Sequence, residues 1–112
     1  MGEIAPGVTF GVIAREWRCK WSDDAEKKSL ELAQKALNLV LEKIKSVDDS
    51  VQVQRVVCGQ CKDFKVITSL PAIKFSDWDA KKFEPEAEFL AELGKIEGIS
   101  HIETQTYTLM KM

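Results

Sequence analysis

Between residues 25 and 46 the apolar side chains Leu30, Ala33, Leu37, Val40 and Ile44 recur every three or four positions, with Val47 just beyond. That period predicts a long helix over 25–46 with one buried stripe. Such a stripe needs a broad apolar partner, and β-prone segments flank it on both sides. Leu32, Ala36 and Leu39 widen the stripe, which fits either a deep sheet groove or contact with a second subunit. Ser22-Asp23-Asp24 offers an N-cap, with Asp23 and Glu26 at a capping-box-like spacing.

The flanking segments set the topology. Residues 8–21 hold no proline and are rich in β-formers, so they read as one long strand. Val8, Phe10, Val12 and Ala14 fall on one face, and Ile13, Trp17, Cys19 and Trp21 on the other. Residues 51–58 alternate Val51, Val53, Arg55 and Val57 against Gln52, Gln54, Val56 and Cys58. Residues 63–70 return as a partner strand, giving a hairpin with Cys58-Gly59-Gln60-Cys61-Lys62 at its tip. The stretch 71–84 reads as a long polar connection carrying Phe75, Trp78 and Phe83. Pro85 and Gly98 then frame a short helix with Phe89, Leu90, Leu93 and Ile96 on its apolar side. Residues 99–112 alternate again as a last strand.

This order predicts an α+β, ferredoxin-like βαββαβ fold as one domain over 1–112. Two helices would cover one face of a four-stranded antiparallel sheet. Trp17, Cys19 and Trp21 are assigned to the other face, where an apolar surface would pair with a second copy's sheet as a dimeric α/β barrel.

Composition narrows the function classes. Sixteen basic and eighteen acidic residues give a formal net charge of −2, without the basic excess of a nucleic-acid-coating surface. No run approaches the ~20 apolar residues that span a bilayer, and residues 1–6 lack the basic start and apolar run of a secretory signal. Three cysteines, two of them three positions apart, make a poor disulfide framework. A cytoplasmic protein with reduced thiols is expected.

Arg55-Val56-Val57-Cys58-Gly59, Asp63-Phe64-Lys65-Val66, Phe89-Leu90-Ala91-Glu92-Leu93, Ile96-Glu97-Gly98-Ile99 and the closing 102–109 strand form a further pattern. Over residues 51–70 and 86–110 the chain resembles the effector-binding (RAM) domain of the leucine-responsive and asparagine-regulator (Lrp/AsnC) transcription family. It departs from that family in having no helix-turn-helix ahead of the domain, so direct DNA binding is not expected. Four positions separate Gly59 from Asp63 where the family usually has three, and the 71–84 connection is longer. The resemblance implies a stand-alone module that binds an amino-acid-like metabolite between subunits of a homodimer or higher oligomer. Arg55, Cys58, Gly59, Asp63 and Glu103 are its candidate ligand contacts, with Trp17 and Trp78 as cavity walls.

Two further readings remain open. A small dimeric α/β-barrel enzyme, of monooxygenase or cyclase type, would enclose a cavity in each protomer. His101, the one histidine, would then be the proton-shuttle candidate, although a lone histidine at a strand start is more often an ordinary polar residue. A metal protein would use Cys58 and Cys61 as half of a zinc site. Cys19, His101 or a second copy would have to complete it, and ordinary turn thiols are the commoner role for such a pair. A redox role for the same CxxC is weakened by the strand that follows it, because the thioredoxin-type motif opens a helix. No other cofactor is expected.

Overall fold

The β-prone stretch 8–21 is divided at Gly11. In the computed structural model, which describes residues 2–112, Gly2–Ala5 (β1) and Val8–Phe10 (β2) pair as a small antiparallel hairpin. Gly7 turns it at φ +80, a conformation that favours glycine. Past Gly11, Val12–Lys20 (β3) runs as a nine-residue central strand.

The remaining elements are a helix at Asp24–Lys45 (α1), strands at Gln52–Cys58 (β4) and Asp63–Pro71 (β5), helices at Ala72–Ala80 (α2) and Glu86–Gly94 (α3), and a strand at Ser100–Leu109 (β6). β3 lies between β5 and β6, and β4 pairs outside β5, all antiparallel, in the order β4-β5-β3-β6. α1 thus crosses over to β4 while leaving a slot beside β3 that β5 fills.

This corrects the expected fold. The α+β class and the four-stranded antiparallel sheet stand. The simple βαββαβ plan with two helices does not, because there are six strands and three helices among the described residues, with a separate two-stranded sheet at the N-terminus. Gly11 accounts for the first difference, since it interrupts the run of side chains that would have continued one strand. The second lies in 71–84. Phe75 and Trp78 are three apart, which puts both on one face of a helix, and Pro71 stands immediately before it.

All three helices contribute to the core on one face of the sheet. Trp17, Cys19 and Trp21 point into that core, with Trp17 only 1% exposed, against Phe64, Val66, Leu70, Ala33, Leu37, Val40 and Ile44. Their assignment to an uncovered, dimer-forming face is therefore overturned. Alternation along the strand separates two sets of residues, but it does not say which set the helices cover. The opposite face carries Glu16, Arg18, Lys20, Asp63, Glu103, Gln105 and Tyr107, joined in a polar network. Arg18 Nη1 donates to Glu16 Oε2 at 3.1 Å and Arg18 Nε to Glu103 Oε1 at 3.2 Å. Tyr107 Oη donates to Glu16 Oε1 at 3.0 Å.

The expected capping box is also absent. Asp23 makes no side-chain cap hydrogen bond, and Ala25, Glu26 and Lys27 sit at φ 54, 59 and 64. That left-handed turn carries Glu26 away from capping geometry. Ser29 anchors the helix entrance instead, its hydroxyl accepting the Ser22 N–H at 2.9 Å. Among the described residues, no helix is long and apolar enough to cross a membrane.

Candidate functional site

The start of α3 is tied to the sheet by a partly buried charge cluster. Glu86 takes two hydrogen bonds from Arg15, Nε to Oε2 at 2.8 Å and Nη2 to Oε1 at 2.9 Å. Trp17 Nε1 donates to the same Oε2 at 2.8 Å. Arg15 Nη1 reaches Thr106 Oγ1 at 2.8 Å, Nη2 reaches Thr104 Oγ1 at 3.1 Å, and Phe83 lies 4.3 Å from the guanidinium carbon. The guanidinium and carboxylate thus satisfy each other, as a largely desolvated ion pair must. The cluster fixes α3 on β3 and β6 and leaves neither charge free for a ligand.

Beside it, the end of α1, one side of α2, the α2–α3 connection and the entry to α3 frame a cleft of about 790 Å³. Trp78 forms part of its lining and is rigidly held. Its Nε1 donates to the Glu84 carbonyl at 2.8 Å, and its ring meets Phe75 and Phe83 edge-on at 5.9 and 5.1 Å. Lys43, Lys74, Lys81 and Lys82 line the cleft together with Asp48, Asp77, Glu84 and Glu88. Lys43 pairs with Glu88 at 2.7 Å, and Lys74 stands 3.9 Å from Asp48. Hydrogen bonds from the Ser50 hydroxyl and N–H hold the Asp48 carboxyl below its ordinary range, so Asp48 stays ionised. The chemistry on offer is recognition of both charge signs beside an aromatic edge.

A second reactive feature is the β4–β5 turn. Cys58 Sγ and Cys61 Sγ are 2.7 Å apart, and the Cys61 N–H donates to Cys58 Sγ at 3.0 Å. Hydrogen bonding with the Cys61 side chain, then with its N–H, holds the Cys58 thiol below the usual thiol range. The same contact and the neighbouring Cys58 charge push Cys61 up. Lys20 Nζ donates to the Cys61 carbonyl at 2.9 Å and Lys62 Nζ to the Gly59 carbonyl at 2.7 Å. Hydrogen bonding and charge from Lys20 also keep the Asp63 carboxyl ionised to lower pH than usual. Cys19, by contrast, is buried, and desolvation raises its thiol to about 11.

The residues expected to share one ligand site are distributed over five places. Cys58, Gly59 and Asp63 stand together at the hairpin turn, with Cys61. Arg55 faces α1, where Nη1 donates to Gln34 Oε1, and Glu103 pairs with Arg18 on the opposite sheet face. Trp17 is wholly core. Trp78 alone of that set lines the cleft. His101 is exposed, its Nδ1 3.1 Å from Ser100 Oγ, and has no carboxylate among its hydrogen-bond partners. Among the described residues, no three His, Cys, Asp or Glu side chains gather as a metal-binding group.

The charged residues of the cleft went unremarked in the sequence because they come from three separate segments. The one available sign was the density of lysine and aspartate around Phe75 and Trp78. Searches of family models, curated proteins and solved structures returned no match to this chain.

Proposed function

We propose that this protein is a small-molecule binding module whose ligand lodges in the cleft between α1, α2 and α3. One observation carries the reading: a space of about 790 Å³ lined by ammonium and carboxylate groups of both signs, with an edge of the buried Trp78 in its wall. That volume lies within the range of metabolite sites, on the order of 300–1,000 Å³, which pair an apolar wall with a few polar groups. Opposed charges suit a ligand bearing both an amino and a carboxylate group, which agrees with the amino-acid-like effector implied by the resemblance. Homo-oligomeric assembly enters the proposal on the same resemblance, and native mass spectrometry reads it directly. The cleft is lined from α1, α2, α3 and their connections, and no strand residue contributes to it. This favours a binding module over an enzyme with a sheet-enclosed cavity.

The test is amide and indole chemical-shift mapping of the full chain with a panel of free α-amino acids at neutral pH. Saturable shifts at Ser46, Trp78 and Ala87, lost when Ala87→Trp fills the cleft, support the proposal. Shifts confined to residues 58–63 and 101–107, or no saturable shift with any member of the panel, would overturn it.

A further inference from the structure

The cleft makes no use of the two thiols at the β4–β5 turn. We propose that Cys58 and Cys61 form a reversible dithiol–disulfide couple that exchanges with small disulfides, glutathione disulfide being the type. Three independent features of the turn support this. The two sulfurs face each other within the turn at 2.7 Å, which places each thiol within reach of the other. Cys61 is exposed and Cys58 partly so, whereas Cys19 is buried in the core on β3, two strands from β4. The turn also supplies its own thiolate stabilisation, with the Cys61 N–H aimed at Cys58 Sγ.

That last feature answers the objection raised by the sequence. In a strand–helix CxxC, the N–H groups of the helix start stabilise the attacking thiolate. Here a strand follows, but backbone N–H groups of Gln60 and Cys61 inside the turn act on Cys58 in the same sense. Lys62, at φ 61, closes the turn and brings its ammonium back over Gly59. Lys20 reaches the Cys61 carbonyl from the neighbouring strand. Lys20 is also paired with Asp63 and Lys62 with Asp23, so the rim offers charges of both signs to a charged disulfide such as glutathione disulfide.

The step balances as thiol–disulfide exchange. The Cys58 thiolate attacks one sulfur of the small disulfide RSSR, whose S–S bond breaks as one RS⁻ leaves and a mixed disulfide forms on Cys58. Cys61 then loses its proton and attacks Cys58 Sγ, expelling the second RS⁻. The two expelled thiolates take up the two protons released by the cysteines. The pair is oxidised by two electrons and RSSR is reduced to two RSH.

The experiment equilibrates the full chain in defined mixtures of reduced and oxidised glutathione, then quenches with N-ethylmaleimide under denaturing conditions and measures the intact mass. Reduced glutathione alone should leave all three cysteines of the chain alkylated. As the oxidised fraction rises, the expected species carries one adduct and no glutathione, with peptide mapping placing the disulfide at Cys58 and Cys61. The variant Cys61→Ser should trap glutathione on Cys58. Cys58→Ser should take it up on Cys61 about 10-fold more slowly, because the remaining thiol lacks the turn N–H groups. Three adducts across the whole series would overturn the proposal. So would glutathione accumulating on both cysteines without ring closure. A wild type protected from both reagents until a chelator is added would also overturn it, placing the thiolates on a metal instead.

Discussion

Arg15 and Glu86, seventy-one positions apart, meet two atoms against two, at 2.8 and 2.9 Å, with about 16% and 14% of each side chain exposed. The pair joins the central strand to the first residue of α3, and Trp17 shares the carboxylate. Truncating one partner leaves the other charge largely desolvated. Glu86→Ala should therefore destabilise the fold by about 3 kcal/mol, near the lower end for buried pairs because a little exposure remains. The double replacement Arg15→Met with Glu86→Met should recover more than half of that loss. Urea denaturation of the two single variants and the double variant, analysed as a cycle, tests this; simple additivity would remove the coupling.

Thr68 lies opposite Arg15 on β5, and its hydroxyl is buried with no hydrogen-bond partner. The guanidinium beside it is committed to Glu86 and to the threonines of β6. Thr68→Val keeps the shape and removes the unpaired hydroxyl, so stability should rise by up to about 1 kcal/mol. Thr68→Ser should fall below wild type, since it keeps the hydroxyl and loses a packed methyl. A Val variant less stable than wild type in chemical denaturation would mean that the hydroxyl has a partner in solution.

The two thiol environments predict a sharp difference in alkylation. Cys19 is 2% exposed, and burial lifts its thiol to about 11, whereas Cys58 and Cys61 are accessible at the turn. With limiting iodoacetamide near neutral pH, the native reduced chain should label at Cys58 and Cys61 while Cys19 stays unmodified. Labelling of Cys19 should appear only in denaturant, following the unfolding transition. Native-state labelling of Cys19 at a rate like that of Cys61 would contradict the packing of β3 under the helices.

Much of this architecture is written in local periodicity, and the failures have physical causes. The stripe Leu30–Ile44 specifies α1 because buried residues recur at the helical period. The alternation in 51–58 and 63–70 gives the hairpin because side chains alternate across a strand. The orientation of β3 was not legible, since Trp17 and Glu16 differ by one position and alternation is blind to which face the helices take. α2 was hidden because Lys74, Asp77 and Asp79 dilute its apolar side to Phe75 and Trp78. The bond from Arg15 to Glu86, like the cleft charges, joins segments whose proximity only the tertiary fold creates. The paired thiols, three residues apart at a hairpin tip, were fully visible as a motif, but the N–H groups aimed at Cys58 were not.

Tyr107 offers a spectroscopic reading of the polar sheet face, because it is the one tyrosine in the chain. Desolvation, then the hydrogen bond to the Glu16 carboxylate and the charge of that carboxylate, raise its phenol from the ordinary 10 to about 12. The sign follows from proton linkage. Between pH 10 and 12 the folded chain holds a proton that the unfolded chain has lost. The Tyr107 contribution is therefore fully present below pH 10 and disappears as pH rises through 12. Absorbance of the phenolate in the native chain should show a midpoint about two pH units above that of the denatured chain, or should rise together with alkaline unfolding. Glu16→Gln removes the charge and keeps an acceptor, so its native midpoint should move back toward 10. A wild-type midpoint near 10 in the folded chain would show that the Tyr107–Glu16 hydrogen bond does not persist in solution.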